Sequence, residues 1–267
     1  MYFKETVFSI PCSLVAVVLV SIGLVGCEPS GAPSSSGGSE APSDASGSTT
    51  ENAAAAASGS GKVAGVALFP TGDVPVMAPI EVKADVEFCG DKVHHENRIV
   101  NPANRGLKNV VVTVEGVQGG PPPELTELTM ANKGCVFVPH VAAMVKGAKL
   151  RVTNEDPVLH TTHPYAGNRT VFNLPVSPGA ELKPRPIRRP GVIKVKCDVH
   201  DWMIGWVVVH DTQYFAVSDT DGKFEIPDVP AGKYTVKAWH EDLGVLETEV
   251  EIKDGATSEA KFEFSPK

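Results

Sequence analysis

From Gly61 onward the chain is made of short runs in which apolar and polar residues alternate or apolar residues form one compact block. Residues 62–69, 80–86, 107–114, 134–141, 148–153, 191–196 and 204–210 all read this way, and several are rich in valine. A side-chain period of two suits a strand with one buried face, and continuous β-branched runs suit strands buried on both faces. Glycine and proline, 25 and 22 in all, separate the runs. Few stretches keep a helical period for long. The pattern predicts an all-β protein, an antiparallel sandwich. Pro139 near the end of 134–141 places that strand at an edge. A second set of alternating runs follows His210. There Asp221 and Gly222 predict a hairpin turn, and Phe224, Ile226, Val229, Tyr234, Val236 and Ala238 fall on one face. Two lobes are therefore expected, 61–210 and 211–267, packed together because only a handful of residues separate them.

The first sixty residues have a different texture. Residues 7–25 are apolar, broken by Pro11, Ser13, Ser21 and Gly23, and they end in Leu24, Val25, Gly26 and Cys27. This matches the bacterial lipoprotein box. The expectation is a signal peptide over 1–26, cleavage after the small Gly26, and a lipid on Cys27. An uncleaved span is the alternative, since the run approaches the ~20 residues a membrane helix needs. Residues 28–60 are Ser, Gly, Ala and Pro without apolar periodicity, too poor in large apolar groups to fold. With Cys27 they form an expected tether, 27–60. As a coil it would reach about 30 Å. The protein would then face the periplasm from a membrane of the bacterial envelope.

Composition adds limits. In 267 residues, 42% hydrophobic and 21% charged content is ordinary for a globular chain. A net charge of −8 argues against nucleic acid as a partner. Five cysteines sort by position. Cys12 leaves with the signal and Cys27 takes lipid. Cys89 and Cys135 remain as an even pair in an oxidising compartment, which predicts a disulfide; two separate thiols are the alternative.

The fifth cysteine opens the stretch that carries chemistry. Cys197, His200 and Met203 fall at intervals of three, on a tight loop between the runs 191–196 and 204–210. A thiolate, an imidazole and a thioether, completed by a second imidazole, make the donor set of a blue-copper site: two His and one Cys in a plane, with a weak axial Met. The second histidine is expected at His160, which follows the run 148–153 across a Pro157-containing loop. Thioether is a poor partner for structural zinc. A c-type haem would need Cys-x-x-Cys-His, which is absent.

These residues resemble the cupredoxin family. The Cys-x-x-His-x-x-Met spacing is similar to the short amicyanin-type loop. Asn154 to His163 resembles the amicyanin pattern in which an Asn precedes the first copper-binding His by six positions. The resemblance implies a Greek-key sandwich, one type 1 copper held by His160, Cys197, His200 and Met203, and single-electron transfer with a redox partner such as a cytochrome or a periplasmic dehydrogenase. No enzyme activity is implied. The family's Asn after the first His is Thr161 here, and its Ser or Thr after the Cys is Asp198. Those positions tie the two loops together, and Thr161 and Asp198 can do so with roles exchanged. Copper delivery or buffering is one rival reading, and a metal-free envelope binding module is the other.

Several residues stay open. His163 is the rival ligand to His160. Trp202 is either an apolar docking surface beside a solvent-facing edge of His200, the expected electron exit, or a packing residue. His94, His95 and His140 read as surface or structural histidines, with a second metal site as the alternative for the first two. The run 217–239 resembles the transthyretin-like or carboxypeptidase-regulatory sandwich. Asp219 and Asp221 there read as turn formers rather than calcium ligands, and His240 as structural.

Overall fold

The computed structural model describes residues 59–265, apart from 71, 73, 75, 76, 95, 119, 120 and 125. The expected signal peptide, Cys27 and nearly all of the tether lie outside the described residues.

The described chain is almost wholly strand, arranged as two sandwiches. In the first, Gly191–Lys196 lies between His160–Ala166 and Ile204–His210, and Val141–Val145 closes the edge. The facing sheet has Lys149–Asn154 between Glu127–Lys133 and Glu181–Pro186, with Val136–Val138 at its edge beside Pro139. Between the sheets Met130, Phe137, Leu150, Val152, Val195, Val207 and Val209 form the core, and Cys197, Trp202 and Met203 belong to it. Alternation explains this placement: in Gly191–Lys196 the odd positions Ile193 and Val195 point inward while Lys194 and Lys196 do not. This is an all-β architecture, a sandwich with a further β domain.

The sheets are not purely antiparallel. Ile204–His210 runs parallel to Val141–Val145, and Glu127–Lys133 parallel to Lys149–Asn154. Hydrophobic alternation fixes the face of a strand, not its direction.

The strands also divide differently from the expected boundary at 210. Ser60–Leu68, the first described strand, pairs with Lys223–Pro230 and runs parallel to Thr257–Glu263. Val111–Val114 pairs with Phe215–Val217 and Gly232–His240. Both belong to the second sandwich, whose core joins Val63, Ala67, Leu107, Val112 and Val114 to Phe224, Ile226, Val236 and Phe262. Between them, Ile80–Glu81 and Lys92–Val93 form a small hairpin on the first sandwich, where Val82 enters its core. Residues 80–86, expected as one strand, instead bend after Glu81 and enter a single helical turn, Val86–Cys89. Gly65 shows why the first strand sits where it does: a Cβ there would overlap the carbonyl oxygen of Ala260 on the adjoining strand. A small third cluster, Val111, Val141 and Val208 with Trp206 and Trp239 against it, packs the lobes together.

The turn at Asp221 and Gly222 forms, with Gly222 at φ 76°. It joins strands of different sheets rather than a hairpin, because Phe215–Val217 and Lys223–Pro230 pair elsewhere. Asp219 Oδ1 accepts the backbone N–H groups of Asp221 and Lys223, both at 2.8 Å, which is turn chemistry.

Candidate metal centre

Two strand ends bring the donors together. His160 opens His160–Ala166, and burial alternates along that strand so that His160 and Thr162 face the core. Cys197 ends the neighbouring run, and the loop returns so that Cys197 N–H reaches Met203 O and Met203 N–H reaches His200 O. His160 and His200 have no solvent-exposed surface, and Cys197 and Met203 have almost none.

The donor atoms face one another. His160 Nδ1 and His200 Nδ1 are 2.9 Å apart, and Cys197 Sγ is 4.0 Å from the first and 3.7 Å from the second. A point equidistant from these three atoms lies about 2.1 Å from each, close to the usual metal–imidazole and metal–thiolate lengths. Met203 is buried in the same core cluster as Cys197.

The outward nitrogens decide the protonation. His160 Nε2 is 2.9 Å from Asp156 Oδ2, and His200 Nε2 is 2.9 Å from Asp85 Oδ2. An ionised carboxylate only accepts, so both Nε2 atoms carry the hydrogen. Both Nδ1 atoms then present lone pairs to each other and to the sulfur. Two imidazole lone pairs 2.9 Å apart repel unless a cation sits between them. The arrangement of carboxylate, imidazole and open donor atom is the one that orients histidine toward a metal. Burial pushes the His160 imidazole below its ordinary value, against the pull of Asp156, and this favours the neutral ligand form.

Asp156 is itself buried and takes the N–H groups of Gly134 at 2.6 Å and Cys135 at 2.9 Å. Asn154 locks the same loop by donating to Val158 O and Val176 O and accepting from Asp156 N–H. Thr161 ties the two loops: its N–H points at Cys197 Sγ at 3.3 Å, and its hydroxyl accepts from Asp198 N–H at 2.6 Å. The tie between the loops therefore runs from the Thr161 hydroxyl to the Asp198 backbone, while the Asp198 carboxylate turns to His163 and Asn173. His163 does not compete with His160. It lies on the other face of the strand, where Nδ1 meets Asp198 at 3.0 Å and Nε2 meets Thr170 at 2.9 Å.

His200 differs from expectation. Its Nε2 edge does not face solvent but is covered by Asp85, carried on the turn before Val86–Cys89. Trp202 is buried too, and its indole N–H donates to Cys135 O at 3.0 Å, so it packs rather than docks. Cys89 and Cys135 form a disulfide, which staples the Asp85 turn over the centre. Cys197 is the free cysteine among the described residues. A second cluster of donor types, Cys135, Asp156 and His160, holds no open thiolate because Cys135 is in the disulfide.

Asp85 and Asp156 were not read from the sequence as site residues. Asp156 left a signal, two positions after Asn154 and four before His160. Asp85 left none, being more than a hundred residues from His200.

Residues 189–260 match the family model described as polysaccharide lyase family 4, domain II, and that match takes the place of the transthyretin-like resemblance. It straddles the Cys197–Met203 loop and much of the second sandwich. No curated protein matches the chain. Among solved structures, a purple cupredoxin from Nitrosopumilus maritimus is 23% identical over 31% of this chain and 98% of its own, with a TM-score of 0.28. A reduced amicyanin variant is 14% identical over 37% of this chain and 98% of its own, at 0.29. A copper-containing nitrite reductase from Thermus scotoductus is 20% identical over 34% of this chain and 23% of its own, also at 0.29.

Proposed function

We propose that this protein holds one type 1 copper ion and carries single electrons between partner proteins of the bacterial envelope. The observation that carries the reading is the set of three buried donor atoms, His160 Nδ1, Cys197 Sγ and His200 Nδ1, facing one another while both outer nitrogens are tied to carboxylates. Met203, buried in the same cluster, would supply the fourth, thioether donor. Copper there supplies a Cu(I)/Cu(II) couple whose two states share one mixed sulfur–nitrogen site. The chain's own residues fix that site. Thr161 N–H dampens charge on the sulfur, and Asp156 and Asp85 hold the rings. The centre has no solvent-facing donor, so a carrier fits it better than an enzyme. Asp85, 40% exposed, is the contact through which His200 approaches the surface. The lipoprotein box at Cys27 extends the reading to an envelope anchor, and the partner to a periplasmic redox protein.

The test is addition of Cu(II) to the full chain, followed by absorption and paramagnetic resonance. An intense sulfur-to-copper charge-transfer band is expected, and reversible one-electron voltammetry. Cys197→Ser is expected to lose the band and keep its circular dichroism. A band that survives in this variant, or no band in the unaltered protein, overturns the reading.

A further inference from the structure

We propose that a cleft at the end of the first sandwich remote from Cys197 binds a phosphate group, held by the guanidinium groups of Arg169, Arg188 and Arg189. Strand register puts the cleft there. Gly191–Lys196 begins beside it and ends at Cys197, so the length of that strand sets the two about 20 Å apart. Ala166, the last residue of His160–Ala166, pairs with Ile193 on one side and with Arg169 on the other. Arg188 and Arg189 stand in the short segment that leads into Gly191. All three arginines line a cleft of about 260 Å³ together with Val171, Pro186 and Ile193. The backbone under Arg188 and Arg189 is held. Pro186 and Pro190 restrict it on either side. Ile187 is buried, its N–H donating to Ala148 O at 3.0 Å and its O accepting from Gly147 N–H at 2.7 Å. The two arginine side chains themselves are exposed.

Charge decides the class of ligand. The chain as a whole is acidic, at −8, yet no residue lining this cleft is Asp or Glu. Arg98 and Arg151 are matched, the first by Asp242 and the second by Glu127 and Glu181. Among the described residues no carboxylate lies within ion-pair distance of Arg169, Arg188 or Arg189. Arg185, over the Phe172 ring at 5.5 Å, adds a further positive charge next to Val171. Like charges around one hollow repel, and an anion among them removes that cost. Guanidinium is a planar fork that matches phosphate oxygens two at a time and sheds water easily. Three forks offer more donors than the two oxygens of a carboxylate can accept, and a phosphate has the oxygens to match. The volume lies under the roughly 300–1,000 Å³ of a site for a drug-sized molecule, so the occupant is a phosphate group with at most a short organic part. Two sources share this chemistry: a free phosphate, and the headgroup of an anionic phospholipid, which the envelope anchor read at Cys27 would bring close.

The experiment is titration calorimetry of the full chain with inorganic phosphate and, separately, with glycerophosphoglycerol, the water-soluble headgroup of phosphatidylglycerol. Saturable binding of at least one of them at a single site is expected, weakening as salt rises. Preference for the first assigns a free phosphate, and preference for the second a lipid headgroup. Arg169→Gln, Arg188→Gln and Arg189→Gln are each expected to weaken binding about tenfold, the loss of a charge-assisted hydrogen bond. Arg188→Lys is expected to weaken it as well, since it keeps the charge and loses the fork. Lys183→Gln removes an exposed charge from the edge strand Glu181–Pro186 outside the cleft and is expected to bind as the unaltered chain does. The three arginines are exposed and far from Cys197, so their variants are expected to fold and to take up copper with an unchanged spectrum. Failure of this site is thereby told from failure of the copper reading. No saturable binding of either compound overturns the proposal. An equal loss in Lys183→Gln and in the arginine variants also overturns it, in favour of a diffuse field of surface charge.

Discussion

Asp156→Asn isolates what a buried carboxylate does for the metal centre. The substitution keeps the shape of the side chain and removes one acceptor. Asp156 now faces three donors: the N–H groups of Gly134 and Cys135 and the Nε2–H of His160. An asparagine oxygen can satisfy two of them, and the third then meets an NH₂ group. One charge-assisted hydrogen bond is lost and a donor meets a donor, in a place where water does not reach. Such a loss costs about 2–4 kcal/mol of folding stability. The oxygen is best placed where Oδ2 lies, keeping Cys135 and His160, so the His160 ring loses the charge of its partner and metal affinity falls about tenfold, the low end of what an orienting partner contributes. Competition against a copper chelator measures the affinity, and urea unfolding of the metal-free protein measures the stability. Asp85→Asn is the control. Its carboxylate is 40% exposed, so the same loss should cost under about 1 kcal/mol of stability while still weakening copper binding. If Asp156→Asn binds copper within twofold of the unaltered protein, the argument that outward carboxylates set the ring nitrogens is refuted.

The rest of the molecule carries further expectations. The disulfide closes a span of 46 residues, so reducing it in the metal-free protein should cost about 4 kcal/mol by the chain-entropy relation, visible as a lower urea midpoint; an unchanged midpoint counts against it. Gly65→Ala should destabilise by about 3 kcal/mol or more, because the added methyl meets backbone on the neighbouring strand; a variant as stable as the parent would contradict the placement of Ser60–Leu68 in the second sandwich. Burial lowers His210 and His240 from 6.5 to about 4. The unfolded chain takes up protons below about pH 6.5 that the folded chain refuses until about pH 4, so stability is intact above that window and falls within it. The loss is up to about 3 kcal/mol for each histidine, and His210→Gln should flatten the urea midpoint between pH 7 and pH 4.5. A slope that His210→Gln leaves untouched would show that other groups carry it.

Periodicity made the strands legible, and the intervals within Cys197, His200 and Met203 made the loop legible, because both are local in sequence. His160 could be separated from His163 because Asn154 marks the register, and the alternating burial of the strand then sets the two on opposite faces. Pairing was not legible. Ser60–Leu68 and Val111–Val114 read as strands, but nothing in their alternation says that their partners lie beyond residue 214. The covering of His200 was hidden for the same reason. Asp85 sits at a positive φ of 51° in a short stretch with no strong period, and long-range contacts, the bridge from Cys89 to Cys135 and Val82 in the core, hold it in place. The sequence pairs the cysteines by elimination but does not say what their joining covers.

The interleaving of the two sandwiches sets the mechanics of the molecule. Going along the chain, the second lobe is visited at Ser60–Leu68, the first at Ile80–Val93, the second at Leu107–Val114, the first at Glu127–His210, and the second again to Glu263. Four crossings stitch them together. A protease that nicks one crossing leaves three others, so no single cut there releases the lobe that holds Cys197. Pulling on Ser60 tugs first on the lobe without the metal loop, and the ligand loops, far along the chain, are shielded from strain applied there.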